Sequence, residues 1–162
     1  MIELVVVIAI IGVLAAILVP SMLNYVKKAR IKAANSNAKT AYNAVCNFIV
    51  DNESKGIDED EVIGYFGDDE IDCTKSATGT GKTAEAQQAV IEALNQNGIT
   101  AGVVWVGEAE INNHNSYYVQ WSGDNDPSAD GAIFGQYPDA IEWDDYLSEA
   151  GVKWQSFNSH SS

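Results

Sequence analysis

The chain has 162 residues, 46% hydrophobic and 20% charged, which excludes a disordered chain and limits the protein to about one domain with a modest core. Its formal net charge of −14 is unevenly divided: residues 1–50 carry five bases against Glu3 alone, and the remainder carries four bases against 22 acids. A C-terminal part this acidic repels phosphate backbones, which argues against nucleic acid as a partner of the head.

Residues 4–19, LVVVIAIIGVLAAILV, contain no charged or strongly polar side chain and as a helix would measure about 24 Å. That is slightly short of a hydrocarbon core of about 30 Å, a gap that Met1 and Ile2, local bilayer thinning or snorkelling of the flanking lysines can close. A buried core helix and the apolar region of a cleaved signal peptide are the competing readings. A signal peptide wants bases before the run and a small-residue cleavage site after it, whereas here Glu3 precedes and Pro20 follows. The run is therefore expected to lie in a membrane.

The helical pattern continues beyond Pro20, which removes the hydrogen bond to the Ala16 carbonyl and should bend the helix, with Gly12 a second soft point. Apolar residues recur at helical spacing: Met22, Tyr25, Val26, Ala29, Ala33, then Ala38, Ala41, Tyr42, Val45, Phe48 and Ile49. The stripe begins small and becomes large, so the alanines suit close approach of neighbouring helices and Val45, Phe48 and Ile49 suit the attachment of a globular head. Residues 1–26 read as the transmembrane half, 27–55 as an amphipathic half, and 56–162 as the head.

Within the head, Asp58 offers an N-cap with Glu61 three residues on, opening a short helix through Val62, Ile63, Tyr65 and Phe66 that stops at Gly67. Residues 68–72 read as a solvated acidic loop and 76–81 as a further loop. A second head helix is expected over about 83–96, with Ala86, Val90, Ala93 and Leu94 on one face and Gly98 as its stop. Residues 99–106, 117–121 and 132–136 read as an antiparallel meander with turns at 112–115 and 122–131. A short helix over 141–150 and a loose tail over 158–162 complete the chain. The expected class is α+β, a long bent N-terminal helix packed on a small antiparallel sheet.

The run from Met1 to Pro20, with a lone Glu3 heading an apolar helix that carries Gly12 and then Pro20, resembles the N-terminus of type IV pilins and pseudopilins. The likeness covers about the first 30 residues; the head matches in architecture alone. It implies a structural subunit, not an enzyme, held in the cytoplasmic membrane before assembly and then part of an extracellular pilus, a homo-oligomeric helical filament displaying an acidic head for adhesion or motility. The assembly residues it implies are Glu3, Gly12, Ala15, Ala16 and Pro20. Its implied partners are the membrane, a prepilin peptidase that also methylates the new N-terminus, the pilus assembly machinery and a surface or glycan ligand. The family pattern further implies a basic leader and two more mature residues ahead of Met1. A pseudopilin of a type II secretion system and a membrane-anchored carbohydrate-binding module are the alternatives.

In an exported protein Cys46 and Cys73 are expected to form a disulfide that ties the acidic loop to the long helix, worth roughly 3 to 4 kcal/mol in the chain-entropy model. No cofactor is expected, with calcium as the alternative. Asp124, Asp126, Ser128 and Asp130 alternate as calcium ligands do, although the glycine and closing glutamate of an EF-hand are absent. Residues 79–83, GTGKT, resemble the end of a phosphate-binding loop, but Ser76 stands where its first glycine belongs and no apolar strand precedes it. His114 and His160 lack partners at metal spacing and read as surface residues. The carboxylates lie in exposed runs with no apolar setting to single out an acid–base pair. Trp105, Trp121, Trp143 and Trp154 are numerous for a head of this size; most read as core by alternation, with a sugar-stacking platform as the other reading.

Overall fold

The computed structural model describes residues 1–111, 114–148 and 151–158. One helix, α1 (Ile2–Glu53), runs unbroken for 52 residues and carries a four-stranded antiparallel sheet on its C-terminal part. The fold is α+β, as expected. Pro20 stays inside α1; the Ser21 hydroxyl, one residue on, reaches back to the Ile17 carbonyl at 3.5 Å.

The stripe of α1 that meets the head is Ile31, Ala34, Ala38, Ala41, Ala44, Val45 and Ile49. Of the expected stripe its second half holds, from Ala38 onward, while Met22, Tyr25, Val26, Ala29 and Ala33 are exposed. The small residues Ala34, Ala38 and Ala41 bring the helix backbone close to the chain's own sheet. Gly135 makes that approach possible, since a Cβ there would collide with the Asn35 amide nitrogen and the Ala34 carbonyl group. Asn35 then fastens the joint, donating to the Ile141 carbonyl at 2.7 Å and accepting from the Gln136 amide at 3.0 Å.

After α1, the short helix α2 (Glu59–Gly64) is capped by Asp58, whose carboxylate accepts from the Asp60 amide at 3.1 Å. Glu61 does not complete a capping box; it accepts instead from the Tyr65 hydroxyl at 2.6 Å. The end of the expected acidic loop is a strand, β1 (Ile71–Asp72), paired with Val104 and Val103. Ile71 is the reason, being buried in the core while its acidic neighbours stay outside. The helix α3 (Lys82–Gln96) follows and packs on α1 through Ala86, Val90, Ile91 and Leu94.

The meander is β2 (Val103–Ile111), β3 (His114–Ser122) and β4 (Phe134–Tyr137), in the sheet order β1-β2-β3-β4. β2 and β3 pair from Val103↔Ser122 to Ile111↔His114, so β2 begins four residues later and runs five residues further than the pattern predicts. The tip at 112–113 lies outside the described residues, as do 149–150 and 159–162, which include His160 and most of the expected tail. The last helix, α4 (Trp143–Leu147), is shorter than the 141–150 expected and opens on a reciprocal capping box between Glu142 and Asp145.

Register assigns the two faces. Val104, Val106, Tyr117, Val119 and Trp121 face α1 and the main core, whereas Val103, Trp105, Tyr118, Gln120, Phe134 and Gln136 face the other way. Residues 151–158 cover that second face. Gln120 and Gln136, both with 0% exposure, hold them: Gln120 donates to the Ser156 carbonyl at 2.8 Å and accepts from the Gln155 amide at 2.8 Å, and Gln136 accepts from the Asn158 amide at 2.9 Å and donates to its carbonyl at 2.8 Å. Burying amides is tolerable only when their hydrogen bonds are met, and here residues 151–158 meet them.

Candidate membrane-anchoring and assembly helix

The head buries α1 from Ile31 onward and meets it as early as Lys27 through Trp143, so residues 1–26 extend from it as a bare helix, about 38 Å long at the standard rise. Every one of those residues is exposed, including Leu4, Ile8, Ile11, Leu14, Ile17 and Leu18, a row of large apolar side chains with no cover. Its composition and length suffice to cross a membrane. Soluble monomers rarely leave so long an apolar surface in water.

The sequence-derived assembly residues all fall on this bare segment. Glu3 lies in the first turn, where the helix dipole favours a carboxylate, and its Oε2 is 3.2 Å from the Met1 ammonium, both groups in full solvent exposure. An exposed pair of this kind contributes little to stability. Nothing lies within 4 Å of a Cβ built on Gly12, so no contact within the chain requires a glycine there. Ala15, Ala16 and Pro20 are exposed as well. Immediately past the apolar stretch come Lys27, Lys28, Arg30 and Lys32, none with a carboxylate within 4 Å among the described residues.

The expected bridge between Cys46 and Cys73 is not formed in the structure, where both thiols are free. Cys46 lies under the middle of the sheet, with its Sγ 2.8 Å from the Tyr117 hydroxyl, and Tyr117 in turn stacks on Tyr42 with ring centroids 4.9 Å apart. Cys73 sits just past β1 at the sheet edge, where its amide donates to the Gly102 carbonyl at 2.9 Å. Pairing of β1, not a bridge, ties the acidic segment down. Burial, with some help from Asp72, pushes the Cys73 thiol up to about 11, and burial likewise raises the Tyr117 phenol.

The other sequence motifs are absorbed by local structure. Asp124 accepts from the Ile133 amide at 3.0 Å and Asp126 from the Ser128 amide at 3.1 Å. Asp124, Asp126 and Asp130 do not converge, and no group of three or more acidic, histidine or cysteine side chains among the described residues is placed to hold a metal ion. In the glycine-rich turn the Thr78 and Gly79 amides donate to the Gln87 carbonyl oxygen at 3.0 and 3.2 Å, and the Lys82 ammonium pairs with Glu85 at 2.7 Å, so those groups serve the start of α3.

The features that define a class here are a single apolar N-terminal helix, fit to anchor in a membrane, and a small α+β head carried on its continuation. Comparison with family profiles, with curated proteins and with solved structures finds no match for the chain.

Proposed function

We propose that this chain is the structural subunit of an extracellular filament of the type IV pilus kind, with no catalytic role. The observation that carries the reading is the uncovered apolar half of α1, headed by one carboxylate and continuous with the half that bears the head. Such a helix needs apolar surroundings over its whole circumference. A bilayer supplies them to the single subunit, and other copies of the same helix supply them in a filament, where a heterologous contact that does not close generates an open helical array. The acidic heads would then cover the outside and meet surfaces for adhesion or motility.

Glu3 gives the assembled state its advantage. On insertion scales an acid in the bilayer costs about 2.5 to 3.5 kcal/mol, less near the interface, and the apolar helix offers no partner beyond the adjacent Met1 ammonium. When helices pack, the amine of a neighbouring copy can approach the carboxylate in low dielectric, and the attraction offsets the desolvation of both groups. Gly12, Ala15 and Ala16 would set how closely the helices approach. Replacing Glu3 by Ala removes a cost from the membrane-held monomer, so insertion and head folding should persist while filaments are lost. Electron microscopy of cells producing E3A decides the point: filaments of normal number and length would exclude charge pairing as the assembly device.

A further inference from the structure

The head contains a cleft that the filament reading does not use. It has a volume of about 640 Å³, within the range of ligand sites, and lies where α1, the loop before β4, α4 and the 151–158 segment meet. Phe134, Trp143, Tyr146 and Trp154 form its aromatic part and Lys27 and Lys153 its cationic part. Phe134 is buried, while Trp143, Tyr146 and Trp154 each keep part of the ring exposed.

These walls are fixed before any ligand arrives. The Tyr146 hydroxyl accepts from the Phe134 amide at 2.8 Å and donates to its carbonyl at 2.9 Å. Trp154 stands edge-to-face with Phe134 at 5.3 Å and donates its indole N–H to Glu70 at 2.6 Å. The Lys153 amide donates to the Asn158 side chain at 2.8 Å, and its carbonyl accepts from Asn158 at 3.0 Å. The buried glutamines that hold residues 151–158 therefore also hold this corner of the cleft. Trp143 stacks on Tyr146 with centroids 6.3 Å apart, and the Lys27 ammonium sits 5.5 Å from the centre of the Trp143 ring.

The electrostatics narrow the ligand. In a chain of net charge −14, Lys27 and Lys153 are two cations with no carboxylate within 4 Å among the described residues, and they line one cavity. Partly exposed indoles beside them offer flat apolar surface to the C–H face of a sugar ring. Asp130 also lines the cleft; it would repel a bare anion such as phosphate but can accept hydrogen bonds from hydroxyl groups. We propose that this cleft binds a carboxylated sugar of the uronic acid type, with the ring on the Trp143–Trp154 wall and the carboxylate between Lys27 and Lys153.

The test is a titration of the full chain, labelled with ¹⁵N and held in amine-oxide detergent micelles, read at the four indole N–H resonances. Trigalacturonic acid should shift the Trp143 and Trp154 signals saturably and leave those of Trp105 and Trp121 in place. The uncharged trisaccharide maltotriose should bind about tenfold more weakly or less, and K27Q/K153Q should weaken the acidic ligand by about the same factor. Unmoved Trp105 and Trp121 signals in the variant show that its head remains folded, and W143F, which keeps the packing but loses the indole, should weaken both sugars. Equal affinity for the two trisaccharides, or full affinity in K27Q/K153Q, would overturn the assignment. So would the same shifts with inorganic phosphate at equal concentration, which would mark a plain anion or headgroup site, or no shifts at all. None of these outcomes depends on filament formation.

Discussion

At Gly135 the backbone of β4 comes so near to α1 that any side chain would strike the Asn35 amide and the Ala34 carbonyl. These are backbone atoms of a long helix and cannot swing aside, so G135A should cost about 1 to 3 kcal/mol, seen as a lower melting temperature of the head in micelles with the insertion of α1 unaffected. The thiols give a second residue-scale prediction. Maleimide should label Cys46 without any reductant, and labelling of Cys73 should accelerate as pH rises toward 11, because only the thiolate reacts and its pKa is raised. Labelling that appears only after reduction would contradict free thiols. Asp72 titrates in the opposite direction: its carboxyl is lowered to about 2 by the Lys75 ammonium at 2.7 Å and by Thr74. A lowered value means that this stabilisation is present above the ordinary 3.8 and is lost as pH falls through about 2, so D72N should flatten the acid limb of the stability curve over that interval.

The helices were the most legible elements, because an apolar period of 3.6 and capping residues such as Asp58 and Gly98 are local signals. β1 was not legible. Two residues, Ile71 and Asp72, carry no alternation of their own, and they become a strand only because β2 presents Val103 and Val104 to them. The front of the α1 stripe was misplaced for a related reason. Ala33 and Ala34 are equivalent in composition, and the choice of Ala34 with Ile31 is made by Gly135, a residue 101 positions away from Ala34. Residues 151–158 likewise contain no regular pattern and are held by Gln120 and Gln136. Q136L should leave the Asn158 amide and the Asp139 carbonyl without their buried partner, at a cost of about 1 to 3 kcal/mol. Trypsin should then cut after Lys153 faster than in the parent chain; an unchanged rate would show that the clamp is not what holds the segment.

For the whole molecule, what could be read in advance was the bare apolar helix, since it is written as one uninterrupted run from Leu4 to Val19. The cleft could not be read, because Lys27, Phe134, Trp143 and Lys153 are brought together only by the docking of the sheet and of residues 151–158 on α1. The division of charge has the same whole-molecule meaning: a basic collar of Lys27, Lys28, Arg30 and Lys32 separates the bare apolar helix from a head with four bases against 22 acids beyond residue 50. Mutual repulsion of such heads would keep free chains apart, and in the proposed filament apolar helix packing would have to overcome it. In the proposed function α1 builds a filament. Immunogold electron microscopy of cells producing the full chain, with an antibody against the head, tests it most directly. Gold spaced along thin filaments that leave the cell surface is the predicted result, and gold confined to the cell envelope with no filaments would contradict it.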